Sequence, residues 1–331
     1  MQIKQAILQS EKQAVGEFLA TFALKFNVYA DYTAYIEEDG KIVATVSLAK
    51  NLICDLAVAN AFQGENVATL LIMHAIEKLR TEKIYGYKVF TKPAYLQSFL
   101  ALGFRTLVAG ENFVALEGGE SDVHTTLQQL KTKILMDLGG FDDDYGAIVL
   151  NANPFTLGHL YLLEHALSKH NKVLVFVVQE DVSEFSFKER FSLTFLATRQ
   201  YHERVCVLPS TEYMVSKATF PDYFLRSKED VSKAHAEYDA RLFEEYFMKE
   251  LHVSKRYLGT EEKEYMTLYN QTLKAVLGDK LEIVERLQQD GETVSASTVR
   301  KWLKDGETQK AISFIPKPCQ AVFQMIIGGK Q

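Results

Sequence analysis

Two short stretches carry the side chains best suited to phosphate chemistry. The first is Thr156-Leu157-Gly158-His159, which follows an apolar run over 147–150 and the strand-stopping Asn151-Ala152-Asn153-Pro154-Phe155. A helix beginning at Thr156 turns free N–H groups and the positive end of its dipole toward the loop, and phosphate is the usual anion there. Gly158 would let a ligand come close to the backbone, and His159 can donate to a phosphoryl oxygen as negative charge builds on it. The plain alternative is a capped surface helix, and the tetrapeptide alone does not separate the two. The second stretch is ETVSASTVRKWL, residues 292–303. Here Ser295, Ser297 and Thr298 gather hydroxyls at another helix start, and Arg300 follows with a fork suited to phosphate oxygens. Alone, it would read as a well-capped helix with an incidental arginine.

Such residues need strand ends and helix starts to position them. From 146 onward strands and helices alternate: apolar runs at 147–150 and 173–178 are short enough for buried strands and flank an amphipathic helix. That rhythm predicts a parallel sheet covered by helices on both faces. In an open parallel sheet ligands bind beyond the carboxyl ends of strands, where helices begin, and Thr156 to His159 fall at such a place. Residues 1–117 read as a smaller α/β unit. Ser10-Glu11-Lys12-Gln13 forms a capping box before Val15, Phe18, Leu19 and Phe22 at helical spacing. Strand runs at 32–36 and 41–49 flank the turn Glu37-Glu38-Asp39-Gly40, a further strand covers about 52–58, and Val67, Leu71, Ala75 and Leu79 share a helical face. Gly118-Gly119-Glu120-Ser121-Asp122 looks like the exit, and Val123, Leu127, Leu130, Ile134 and Leu138 predict a connecting helix. The boundary is therefore placed within 118–145, with the second domain over 146–331.

Composition narrows the function classes. A chain of 331 residues exceeds one ordinary core. Its hydrophobic share of 47% and charged share of 24% are those of a soluble globular protein. The net charge of −6 argues against a nucleic-acid partner held by a broad basic surface. The start, MQIKQAILQS, has no long apolar segment, and no run approaches membrane-spanning length, so no membrane partner and a cytoplasmic setting are expected. Cys54, Cys206 and Cys319 are far apart and form no CxxC pair, so buried, inert thiols are expected, with no metal ligands among them.

Together the two stretches resemble the nucleotidyltransferase superfamily, with an (H/T)xGH motif early and an ISxxxxR-like motif late. The likeness narrows further. NANPFTLGH, EDVSEFSFKERF, SKATFPDYFLR, KRYLGTEEKEYMTLYNQTL and VSASTVRKWL, in this order, resemble the citrate lyase ligase family over nearly the whole chain. That resemblance implies an α/β fold: an acetyltransferase-like domain followed by a Rossmann-like parallel-sheet nucleotidyltransferase domain. It implies attack of acetate on the α-phosphorus of ATP, giving acetyl-adenylate and diphosphate. The acetyl group then passes to the prosthetic-group thiol of the citrate lyase acyl carrier subunit, and AMP is released. Mg²⁺ is expected with the ATP, though no protein ligand for it is visible.

By motif, Thr156 and His159 would be catalytic, with Asn153 and Gly158 beside the nucleotide. Ser295, Ser297 and Arg300 would hold the phosphates that leave as diphosphate. Lys188 and Arg190 of FSFKER are either further phosphate contacts or a solvated charged helix face. Gly259 and Glu261 resemble the lining of the adenosine pocket, although Glu261 reads equally as a surface charge. Thr219, Tyr223 and Phe224 of TFPDYF are read as packing beside that pocket. In the first domain Gln63-Gly64-Glu65-Asn66-Val67-Ala68 resembles the Q/R-x-x-G-x-G/A turn of GCN5-related N-acetyltransferases, which offers N–H groups to the diphosphate of coenzyme A. Gln63, Gly64, Asn66 and Ala68 are thus candidates for holding the carrier's arm, with Asn66 standing where glycine is usual. Two rival readings remain: an adenylyltransferase acting on a small phosphorylated metabolite, and a non-catalytic carrier-binding protein, against which the intact motifs argue.

Overall fold

A computed structural model describes residues 1–141, 144–180, 183–215, 220–225, 227–260 and 264–329, without the side chains of 264–266. The chain forms two compact units, Met1–Asp122 with Pro221–Tyr238, and Val123–Phe220 with Asp239–Gln331. Nothing in the local sequence marks the return of Pro221–Tyr238 to the first unit.

The first unit comprises β1 (Ile3–Gln5), α1 (Gln9–Ala20), β2 (Tyr32–Glu38), β3 (Lys41–Ala49), β4 (Leu52–Val58), α2 (Val67–Thr81), β5 (Gly86–Thr91), α3 (Leu96–Ala101), β6 (Arg105–Ala109) and β7 (Val114–Gly119). Its sheet runs β1-β2-β3-β4-β5-β7-β6. Neighbours are antiparallel except β4 and β5, which pair in parallel at Leu52↔Lys88 and Ile53↔Val89 and then part. The β2–β3 turn places both Asp39 (φ 52°) and Gly40 (φ 72°) in left-handed conformation, matching the twist of a tight hairpin. Helix α1 starts earlier than its sequence suggests. Leu8, not Ser10, is the cap, and the Glu11 carboxylate reaches back to the N–H groups of Ile7 and Leu8 at 2.8 and 2.7 Å. A carboxylate at the third helical position does this work whichever residue stands at the cap. The buried face of α2 includes Val67, Leu71, Ala75 and Leu79.

The second unit begins with α4 (Val123–Leu138), whose five expected apolar residues are all buried. Then come β8 (Tyr145–Leu150), α5 (Leu157–Lys169), β9 (Lys172–Val177), α6 (Phe187–Thr198) and β10 (Val205–Pro209). After α7 (Lys228–Leu242), whose residues up to Tyr238 belong to the first unit, follow β11 (Val253–Gly259), α8 (Glu264–Leu277), β12 (Leu281–Val284), α9 (Ala296–Lys304), α10 (Thr308–Ser313) and α11 (Gln320–Gly328). The five-stranded sheet is parallel throughout, in the order β10-β9-β8-β11-β12. Strands covered on both faces must be apolar along their length, and Val173, Leu174, Val175, Phe176 and Val177 of β9 are all buried. The direction of winding reverses between β8 and β11, so the carboxyl ends of those two strands define the crevice where an open sheet takes its ligand. Cys54, Cys206 and Cys319 are free and buried. Among the described residues no helix is long and apolar enough to cross a membrane.

Candidate active site

At the end of β8 the chain turns through 151–156 into α5, with Thr156 as the extended cap (φ −128°, ψ 169°). The Thr156 N–H donates to Nδ1 of His159 at 3.0 Å, and the Thr156 hydroxyl lies 3.0 Å from the same nitrogen. A backbone N–H can only donate, so Nδ1 must accept, and the neutral ring carries its proton on Nε2. Burial first, and the positive charge of Arg286 second, lower the His159 pKa to about 4. The imidazole is therefore neutral near pH 7, with Nε2–H as a fixed donor. Thr156 is fully buried; its place is behind the ring, orienting it.

Gly158 has a reason the sequence could not supply. A Cβ there would stand 2.4 Å from the Val294 carbonyl oxygen, so the glycine admits the backbone of the second motif. The Leu157 N–H is also taken, by the Phe314 carbonyl at 2.8 Å. From the other side, Ser295 caps α9 and accepts from the Thr298 N–H at 3.1 Å. Arg300 donates through Nη1 to the Asn153 carbonyl and through Nη2 to the Ser297 hydroxyl at 3.3 Å. Its Nε lies 4.0 Å from the Glu184 carboxylate. The Asn153 amide oxygen meanwhile accepts from the Phe185 N–H at 3.0 Å. Two motifs far apart in sequence thus meet backbone to backbone and side chain to backbone.

Lys188 is exposed on the first turn of α6. Arg190 is fully buried and so does not lie on a solvated helix face. Its guanidinium donates to the carbonyls of Phe185 (3.0 Å), Asn151 (2.8 Å), Val178 (2.8 Å) and Glu180, and to the Asn151 amide oxygen (3.0 Å). With five N–H donors in one rigid fork, it ties the loop after β8 to the end of β9 and the start of α6. Gly259 ends β11, and its carbonyl accepts from the Asn270 amide at 3.3 Å. A Cβ there would make only ordinary contact, 3.8 Å from Arg286 Cγ, so no neighbour among the described residues requires the glycine. Glu261 and Thr219 lie outside the described residues.

Sequence reading missed Arg286. It follows β12, donates through Nε to the Thr260 carbonyl and through its N–H to the Thr260 hydroxyl at 3.3 Å, and acts electrostatically on His159. Its only signal is a cation just beyond the carboxyl end of a strand neighbouring the crevice, and that signal depends on recognising the four-residue β12. Among the described residues no group of three or more His, Cys, Asp or Glu side chains gathers as a metal site. The residues gathered here offer hydroxyls and guanidinium groups, which suit phosphate oxygens, with the Glu184 carboxylate beside Arg300.

In the first unit, the Gln63 amide donates to the Val58 carbonyl at 3.0 Å and to the Asn60 amide oxygen at 3.1 Å. Gly64 has φ 94°, and Asn66 adopts φ 60°, ψ 15° immediately before α2. Asn tolerates this left-handed conformation better than most residues, so the turn keeps its shape without the usual glycine. A cavity of about 550 Å³, lined in part by Gln63, Gly64, Asn66 and Ala68, lies between β4 and β5. Tyr223 and Phe224 also line it. They pack in the first unit, against residues of β4 and β5.

Residues 145–323 match the citrate lyase ligase C-terminal domain, and residues 6–104 match the acetyltransferase (GNAT) family. The citrate (pro-3S)-lyase ligase of Klebsiella pneumoniae is 32% identical over 318 residues, spanning 92% of this chain and 90% of the relative. The enzyme of the same name from Haemophilus influenzae is 31% identical, with 93% of each chain covered. That of Escherichia coli K12 is 28% identical, over 93% of this chain and 89% of its own. With its parallel-sheet unit and its acetyltransferase-like unit both matched in the order in which they occur, the chain belongs to the citrate lyase ligase family.

Proposed function

We propose that the second unit activates acetate with ATP and that the acetyl group is passed to the prosthetic-group thiol of the citrate lyase acyl carrier subunit. An acetate oxygen attacks the α-phosphorus, and the bond to the departing diphosphate breaks. The carrier thiol then attacks the acyl carbon, loses its proton, and expels AMP. The observation that best supports this is the fixed Nε2–H of His159 at the switch point, with Arg286 near it. His159 would donate to the α-phosphoryl oxygen as charge grows there, with Thr156 orienting the ring. Arg300, Ser295 and Ser297 would hold the departing phosphates, with Lys188 at the rim and Gly259 beside the nucleoside. Chemistry of this kind depends mainly on positioning and charge stabilisation. Magnesium would arrive on the nucleotide's own oxygens, and no step is assigned to it.

The first unit would dock the carrier's arm, whose diphosphate, derived from dephospho-coenzyme A, suits the turn formed by Gln63, Gly64, Asn66 and Ala68. A cytoplasmic setting, where ATP is at hand, completes the reading. The deciding experiment incubates the protein with ATP, magnesium, acetate and deacetylated citrate lyase. AMP should form in step with recovered lyase activity. A stable dinucleotide-like product would favour an adenylyltransferase instead, and absence of acetate-dependent ATP–diphosphate exchange would favour a non-catalytic carrier-binding protein.

Arg300→Lys tests the phosphate assignment. One ammonium cannot hold the Asn153 carbonyl and fork onto phosphate oxygens together, so exchange at fixed ATP should fall roughly 10–100-fold. If ATP handling is unchanged and only transfer to the carrier suffers, Arg300 belongs to a carrier-facing surface.

A further inference from the structure

The cavity of the first unit has two dissimilar ends. At one, the Gln63 amide ties the turn before α2 to Val58, the last residue of β4. At the other, β4 and β5 converge on the Ile53↔Val89 pair. From Ile53 to Val58 is about 17 Å at the usual rise per residue, the reach of an extended pantetheine chain. Beyond Ile53 the edge of β4 that faces β5 has no ladder partner among the described residues. A linear, amide-bearing chain could pair with that edge as an added strand does.

The converging end is walled by a segment that returns from the second half of the sequence. Tyr223 donates its hydroxyl to the Phe90 carbonyl, one residue past Val89, and its own carbonyl accepts from the Lys25 N–H at 2.9 Å. The rings of Tyr223 and Phe224 meet edge to face at 5.2 Å and are 7% and 4% exposed. Among the described residues no His, Asp or Glu lines the cavity, although Lys92 and Tyr95 do. An amine acceptor would find no room beside the two packed rings at this end.

Taking the first unit as the docking site for the carrier's arm, as proposed above, we propose that Tyr223 and Phe224 are its specificity-determining residues. They end the cavity at the depth of a thiol-terminated pantetheine chain, so that it admits the arm and excludes longer acyl chains and a second, amine substrate.

The test is isothermal titration of the full chain with dephospho-coenzyme A and with its S-hexanoyl thioester. The free thiol should bind at least about tenfold more tightly, because forcing extra methylenes against a packed wall is unfavourable. Tyr223→Ala should reduce that preference to within about threefold by opening the wall. Tyr223→Phe, which keeps the ring and loses only the bond to Phe90, should retain the preference. Should Tyr223→Ala not fold, Phe224→Ala opens the same wall from the adjoining ring. Equal binding of both ligands by the native chain would overturn the proposal, as would an unchanged preference in both alanine variants. Deacetylated citrate lyase should displace the bound dephospho-coenzyme A; failure to displace it would mean that the cavity serves a free cofactor, overturning the carrier as occupant. If dephospho-coenzyme A does not bind at all, the docking reading itself fails, and the role of the wall falls with it.

Discussion

Replacing His159 with alanine is expected to lower acetate-dependent ATP–diphosphate exchange by about 10²–10³-fold, the usual consequence of removing one donor from a developing oxyanion. The fold should survive. His159 stands in the first turn of α5, and its main internal bond is the one Nδ1 accepts from the Thr156 N–H. Loss of one such bond at a helix start costs about 1 kcal/mol. His159→Gln separates the two roles. Its amide oxygen can reach back to the Thr156 N–H as a capping-box glutamine does, yet its carboxamide would not place a donor where Nε2–H stands. The glutamine variant should melt close to the native protein and still turn over slowly. An alanine variant that keeps its activity, or one that is merely unfolded, would remove His159 from its assigned role.

What could be read in advance follows from how local the cause is. Strands β8 and β9 were legible because burial on both faces demands unbroken apolar runs, and the start of α5 because a threonine cap follows a strand-stopping loop. The pairing of the two motifs was legible only as a resemblance. What joins them is the Val294 carbonyl against Gly158 and Arg300 on the Asn153 carbonyl, neither of which leaves a periodic trace. Arg286 escaped because Leu281–Val284 is a four-residue strand carrying Glu282, too short and too polar to announce itself. The place of Tyr223 is a tertiary fact, since its segment packs with residues on β4 and β5 that precede it by most of a domain. The spacing of Lys188 and Arg190 holds a further clue. Two residues apart on a helix they point about 200° away from one another, so one phosphate could not readily engage both. The sequence did not say which of them faces inward; the carbonyls at the ends of β8 and β9 decide it.

The expected consequence for Arg190 is loss of stability, not of a phosphate contact. Arg190→Met keeps much of the stem volume but leaves the carbonyls of Phe185, Asn151, Val178 and Glu180 without their shared donor. An acceptor stranded away from water costs about 1–3 kcal/mol. Relaxation and entering water will recover part of the total, so a net loss of about 3–5 kcal/mol is expected. For a unit of this size that is a fall in Tm of roughly 10 °C. Arg190→Lys should recover little, because one ammonium has three donors on a flexible stem and cannot span acceptors from three separate segments. The loop that Arg190 holds begins at Asn151 and leads to His159, so exchange activity should fall along with stability, and high ATP should not restore it. A phosphate contact would behave in the opposite way: Arg190→Met would melt with the native protein, and its activity would return as ATP is raised. Thermal melts read beside an ATP titration distinguish these outcomes, and native-like melting with ATP-rescued activity would return Arg190 to the nucleotide.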